Sequence, residues 1–140
     1  MKSDEISKTS ATIHIASDAD IIQARMAARD FAAKIGFNGV DLVMIATAVS
    51  EMARNIIEYA RQGDMALSEV WDYDARRGLQ VVASDHGPGI ADLARAMENG
   101  YSTSRGFGLG LPGARNLMDD FSVETGPDRG TTVTMRKWLP

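Results

Sequence analysis

The sequence predicts an α+β fold, a two-layer sandwich in which helices cover one face of a mixed, mostly antiparallel sheet. Three observations carry that prediction. Two helical segments follow each other directly between residues 17 and 61, whereas a doubly wound parallel sheet alternates strand and helix one by one. The β-rich runs after them come in adjacent pairs joined by short turn-forming segments, as antiparallel hairpins do. The longer helical segment also carries one broad apolar stripe, which suits a helix lying on one side of a sheet.

Each element has a local cause. Met1 to Ser10 (MKSDEISKTS) holds little apolar content and reads as a flexible tail, leaving residues 11–140 as a single domain. Thr12-Ile13-His14-Ile15 gives a short strand with both isoleucines on one face. Ser17 caps a first helix, with Asp18 and Asp20 complementing the free N–H groups of its first turn. That helix runs through Ile21, Ile22, Met26 and Phe31 to Lys34, and Gly36 closes it. A second helix opens at Asn38 or Asp41 and reaches about Tyr59 or Arg61. Its stripe is Leu42, Ile45, Ala46, Val49, Met52, Ala53, Ile56 and Ala60, and Gln62-Gly63-Asp64 ends it. Two strands, Met65 to Tyr73 and Gly78 to Ser84, flank a turn at Asp74 to Arg77. A short helix over Ala91 to Met97 leads into a glycine-rich stretch, and another helix spans Leu109 to Leu117. The last two strands, Phe121 to Thr125 and Thr131 to Trp138, are joined by Gly126-Pro127-Asp128-Arg129-Gly130.

Composition narrows the function. A chain of 140 residues can bury roughly 68% of its unfolded surface, enough for a real core. Cysteine is absent and only two histidines occur, which excludes disulfides and thiolate sites and argues against zinc. The net charge is −4, and the eleven Arg and four Lys gather into no basic stripe, so no nucleic-acid partner is expected. No apolar run approaches the roughly 18 residues of a membrane span, and Met1 to Ser10 has no signal-peptide core. The expected location is cytoplasmic, with no membrane partner.

The motifs point to phosphate chemistry. In Gly100 to Asn116 (GYSTSRGFGLGLPGARN), Gly106, Gly108 and Gly110 stand at every second position before a helix start. Main-chain N–H groups there can converge on an anion, and Pro112 fits the first turn of the helix that follows. The same pattern suits a flexible loop capped by a helix. Glu51 and Asn55 lie four apart, hence on one helix face, where a carboxylate can take a proton and an amide oxygen can bind Mg²⁺. Such pairs are also ordinary polar-face residues. Asp85 at a strand end can accept a hydrogen bond from an exocyclic amine such as that of adenine, and Gly87 and Gly89 let the loop press on a flat ring. A plain turn uses the same residues. His86 reads as exposed. There is no Gly-Lys-Ser/Thr of a P-loop and no protein-kinase HRD or DFG set.

Taken together and in this order, the motifs resemble those of the GHKL ATPase superfamily, which has the Bergerat fold. Glu51 and Asn55 match its N box, Asp85-x-Gly87-x-Gly89 its first glycine box, Gly106-x-Gly108-x-Gly110 its second, and Thr131 its late threonine. Within it, Val49 to Asn55, Asp85 to Ile90, Gly100 to Phe121 and the closing Lys137 to Leu139 look like the RsbT-like serine/threonine kinases of bacterial partner-switching systems. That resemblance spans about Thr12 to Leu139. It implies ATP and Mg²⁺ as cofactors, with adenine on Asp85 supported by the Thr131 hydroxyl. Phosphates would lie on Gly106 to Gly110 and Arg105, Mg²⁺ on Asn55, and Glu51 would act as base. It further implies STAS-domain partners of the RsbS/RsbR kind as substrates and a PP2C-type phosphatase of the RsbU kind as a second partner. The alternative is an anti-sigma factor of the RsbW or SpoIIAB kind, which sequesters a sigma subunit and phosphorylates as a secondary task.

Overall fold

A computed structural model describes residues 5–90, Met97 and residues 110–140, with side chains from Ser10 onward. The elements are β1 (Glu5–Ile15), α1 (Asp18–Ile35), α2 (Gly39–Ala60), β2 (Gly63–Trp71), β3 (Arg77–Asp85), α3 (Gly110–Leu117), β4 (Asp120–Thr125) and β5 (Thr131–Trp138). The strands form one sheet in the order β1-β2-β3-β5-β4. The sheet is antiparallel at all four pairings, so the expected mixed character is absent among the described residues. The helical hairpin explains the first pairing. α1 and α2 return the chain to the end of the sheet it left, so Ile15 faces Gly63 across β1 and β2.

Helix ends fall where the capping chemistry places them. Asp20 Oδ2 accepts the Ala16 and Ser17 N–H groups at 2.8 and 3.1 Å, and Gly36 closes α1 at φ 131°. Acceptance of those two bonds holds the Asp20 carboxyl below its ordinary pKa. β1 departs from expectation. It begins at Glu5, inside the segment whose composition reads as a tail, because β2 offers its Ser68–Trp71 backbone as a pairing edge; the register shifts between Ile6 and Ser10. The β2–β3 turn is also earlier than expected. The Asp72 carboxylate accepts the Asp74 and Arg76 N–H groups, both at 2.9 Å, and these bonds lower its pKa. The expected helix over Ala91 to Met97 lies outside the described residues except for Met97.

Alternation in the strands sets the core. Ile15, Met65, Leu67, Leu79, Val81, Ala83, Val133 and Met135 occupy one sheet face and are almost fully buried. α1 and α2 cover that face, and alanines at 24, 28 and 32 on α1 let the helices approach closely. α2 is buried more widely than its stripe predicts because it touches α1, α3 and the sheet. Ser50 and Glu51 are therefore inside, while Leu42 and Ala60 at the ends of the stripe are half-buried.

Candidate active site

At the end of β3 the chain turns sharply beside the β4–β5 hairpin. Asp85 pairs with Thr131 across β3 and β5. Its Oδ1 accepts two backbone N–H groups, from Gly87 at 2.9 Å and from Thr131 at 3.2 Å. Oδ2 has no hydrogen-bond partner among the described residues, and the side chain is only half-buried. One oxygen thus holds the corner and the other keeps its acceptor capacity unused by the described residues. Two glycines make the corner possible. Gly89 (φ 82°) lies against the Gly126 carbonyl and Gly130 (φ 72°) against the Asp85 carbonyl, and any Cβ at either place would overlap backbone. Asp128 N–H also donates to the Pro88 carbonyl at 2.8 Å. His86 is exposed, as expected.

The same helix serves a second cluster. The Gly87 position abuts Ala60 at the C-terminal end of α2, a turn and a half beyond Asn55. Asn55 is half-buried and makes no hydrogen bond to the described residues; its Oδ1 lies 4.0 Å from where a Cβ would sit on Gly110, the first residue of α3. An uncommitted amide oxygen beside a helix N-terminus fits a single protein ligand to Mg²⁺, which keeps waters and phosphate oxygens as its other ligands. Among the described residues no group of three or more His, Asp or Glu side chains could hold a metal alone. Glu51, one turn before Asn55, is 8% exposed. Its Oε1 receives the Arg54 Nη1 at 2.9 Å, so Arg54 pairs inward, and Oε2 carries no partner among the described residues. Glu51 is therefore no polar-face residue.

Of the residues singled out in the sequence, Asp85, Gly87, Gly89 and Thr131 share one corner, and Glu51, Asn55 and Gly110 share the other. Arg105, Gly106 and Gly108 lie outside the described residues. One residue escaped the sequence reading. Thr125 Oγ1 accepts the Ile90 N–H at 2.8 Å and contacts Thr131 Oγ1 at 2.9 Å and the Gly130 carbonyl at 3.2 Å. The signal was available, since Thr125 and Thr131 flank a five-residue turn and must face each other across the hairpin.

The family model for the histidine kinase-like ATPase domain matches residues 15–137. The chain belongs to that family. It is 44% identical over 127 residues to the serine/threonine-protein kinase RsbT of Bacillus subtilis (strain 168), covering 91% of this chain and 95% of that one. It is 29% identical to an anti-sigma F factor of Caldanaerobacter subterraneus, covering 83% of each chain. In structure it is similar to a chain of the SiaB–SiaC complex from Pseudomonas aeruginosa, with a TM-score of 0.54 at 16% identity over 96% of this chain and 91% of that one, a likeness of fold. Family membership makes the domain ATPase-like, and the near-complete match to a serine/threonine kinase makes it an enzyme of the kinase kind.

Proposed function

We propose that the protein is an ATP-dependent serine/threonine kinase of a partner-switching pathway, acting on a STAS-domain protein and, when released, activating a PP2C-type phosphatase. The reading rests first on the 44% identity to RsbT across nearly its whole length. It is supported by one helix, α2, that bears Glu51 and Asn55 beside the N-terminus of α3 and abuts the Asp85 corner at its end. Asp85 Oδ2 would accept the exocyclic amine of adenine. Asn55 would hold Mg²⁺, whose chemistry is to neutralise charge on phosphate oxygens. The N–H groups at the start of α3 would orient the phosphates, with Gly106, Gly108 and Arg105 contributing as the family resemblance implies. Glu51, held on one oxygen by Arg54, would take the hydroxyl proton of the acceptor serine or threonine on its other oxygen. Phosphoryl transfer asks for little else, since alignment and charge neutralisation dominate it. No helix among the described residues is long and apolar enough to cross a membrane, in keeping with a cytoplasmic kinase.

The deciding experiment incubates the protein with Mg²⁺, γ-labelled ATP and the STAS-domain protein encoded beside it, with Glu51→Ala as control. Label on a serine or threonine of that neighbour, absent in the control, supports the kinase reading. Co-purification with a sigma subunit and no transfer to any STAS protein would favour the anti-sigma reading, to which the 29% identity with anti-sigma F factors lends some weight.

A further inference from the structure

We infer that Thr125 is a positioning residue that sets purine specificity by fixing the hydroxyl proton of Thr131. The inference rests on the proposed nucleotide site at Asp85 and adds a residue outside its matched motifs. Thr125 Oγ1 has three close partners: Ile90 N at 2.8 Å, Thr131 Oγ1 at 2.9 Å and the Gly130 carbonyl at 3.2 Å. A hydroxyl donates once and accepts twice. The Ile90 N–H can only donate, and the Gly130 carbonyl can only accept. Satisfying all three contacts at once requires Thr125 to give its one proton to Gly130 and Thr131 to be the donor between the two threonines.

That polarity decides what a ligand meets. With its proton committed to Thr125, Thr131 Oγ1 turns lone pairs alone toward its open side, and Thr131 is half-buried rather than enclosed. Beside it, Asp85 Oδ1 is occupied by the Gly87 and Thr131 N–H groups, which leaves Oδ2 as a second acceptor. A pair of acceptors suits the two N–H groups of a 6-amino purine. A 6-oxo purine would set a carbonyl oxygen against them with no donor to meet it, and unpaired polar contacts of this kind discriminate strongly. Without the Thr125 hydroxyl the Thr131 proton is free to rotate, and Thr131 can donate to a 6-oxo group. Selectivity then falls while Asp85 is untouched.

The test is titration calorimetry of ADP and IDP, each with Mg²⁺, on the wild-type protein, Thr125→Val and Thr125→Ser, with circular dichroism checking the fold. Thr125→Val removes the hydroxyl at nearly constant volume and should reduce the ADP-over-IDP preference by about three- to tenfold, the span of one neutral hydrogen bond. Thr125→Ser, which keeps the hydroxyl, should restore it. Equal weakening of both nucleotides in Thr125→Val, with an unchanged ratio, would mean that Thr125 only braces the loop and would overturn the inference. If that variant does not fold, Thr125→Ala carries the same ratio test. Failure of wild-type protein to bind ADP would remove the nucleotide-site reading and this inference with it. ADP binding that Asp85→Asn abolishes, together with an unchanged ratio in the Thr125 variants, would sink the inference alone.

Discussion

At Asp85 a single carboxylate holds the corner through Oδ1 and, on the proposed reading, would take the ligand through Oδ2. Asparagine could still accept the Gly87 and Thr131 N–H groups on its carbonyl, but it would then turn an NH₂ toward a donor on the ligand. Asp85→Asn should weaken ATP binding by about 1.5 to 3 kcal/mol, roughly ten- to hundredfold, with the fold intact. Unchanged affinity in calorimetry would end the assignment. Glu51→Ala should leave nucleotide binding in place and lower transfer by roughly 10² to 10⁴, the span of a general base; a loss of binding with turnover retained would reverse its role. His14 offers a pH test elsewhere. Its Nδ1 meets Asp64 Oδ1 at 3.0 Å, and that hydrogen bond raises its pKa above 6.5. The stabilisation is complete below the ordinary histidine value and is lost as pH rises through the raised one. With only two histidines in the chain, proton NMR should show the His14 midpoint falling in Asp64→Asn; a midpoint that stays put would show the pair does not form in solution. Residue identity was legible in the sequence wherever spacing alone implied chemistry, as for Glu51 and Asn55. Thr125 was read only as the end of a strand, although the hairpin register sets it opposite Thr131, and the burial of Glu51 was not legible because it depends on α3 packing against α2.

At the scale of elements, α3 is fastened at its C-terminal end, where the buried Lys137 donates from Nζ to the Leu117 carbonyl at 2.9 Å. A cation at a helix C-terminus satisfies an orphan carbonyl and complements the dipole. Lys137→Met keeps the volume but leaves that carbonyl unmatched, which should cost about 1 to 3 kcal/mol in urea unfolding with the m-value unchanged. An unaltered midpoint would show that water replaces the ammonium without penalty. Helix limits were legible to within a few residues because Ser17, Gly36 and Asn38 are strong capping signals. The start of β1 was not, because Glu5 to Ser10 lacks an apolar alternation and takes strand form only against β2.

For the whole molecule, the two-layer plan followed from segregated helices and hairpins, whereas the uniform antiparallel sheet needed the return path of the α1–α2 hairpin. On the proposed reading the site is assembled from β3, the β4–β5 turn, α2 and α3, which would couple ligand to global stability. ADP with Mg²⁺ at a hundredfold excess over its Kd should add about 2.7 kcal/mol to unfolding, and thermal melts should show no such gain in Asp85→Asn. A gain equal in both proteins would place the nucleotide elsewhere. The strand order carries one more consequence. β5 is the last strand in the chain, yet it lies between β3 and β4. Neither β3 nor β4 can close its inner edge until residues as far as Trp138 have left the ribosome. A nascent chain therefore leaves β3 without its β5 neighbour throughout synthesis of the glycine-rich stretch, and the Asp85–Thr131 pair can form only once β5 has been made.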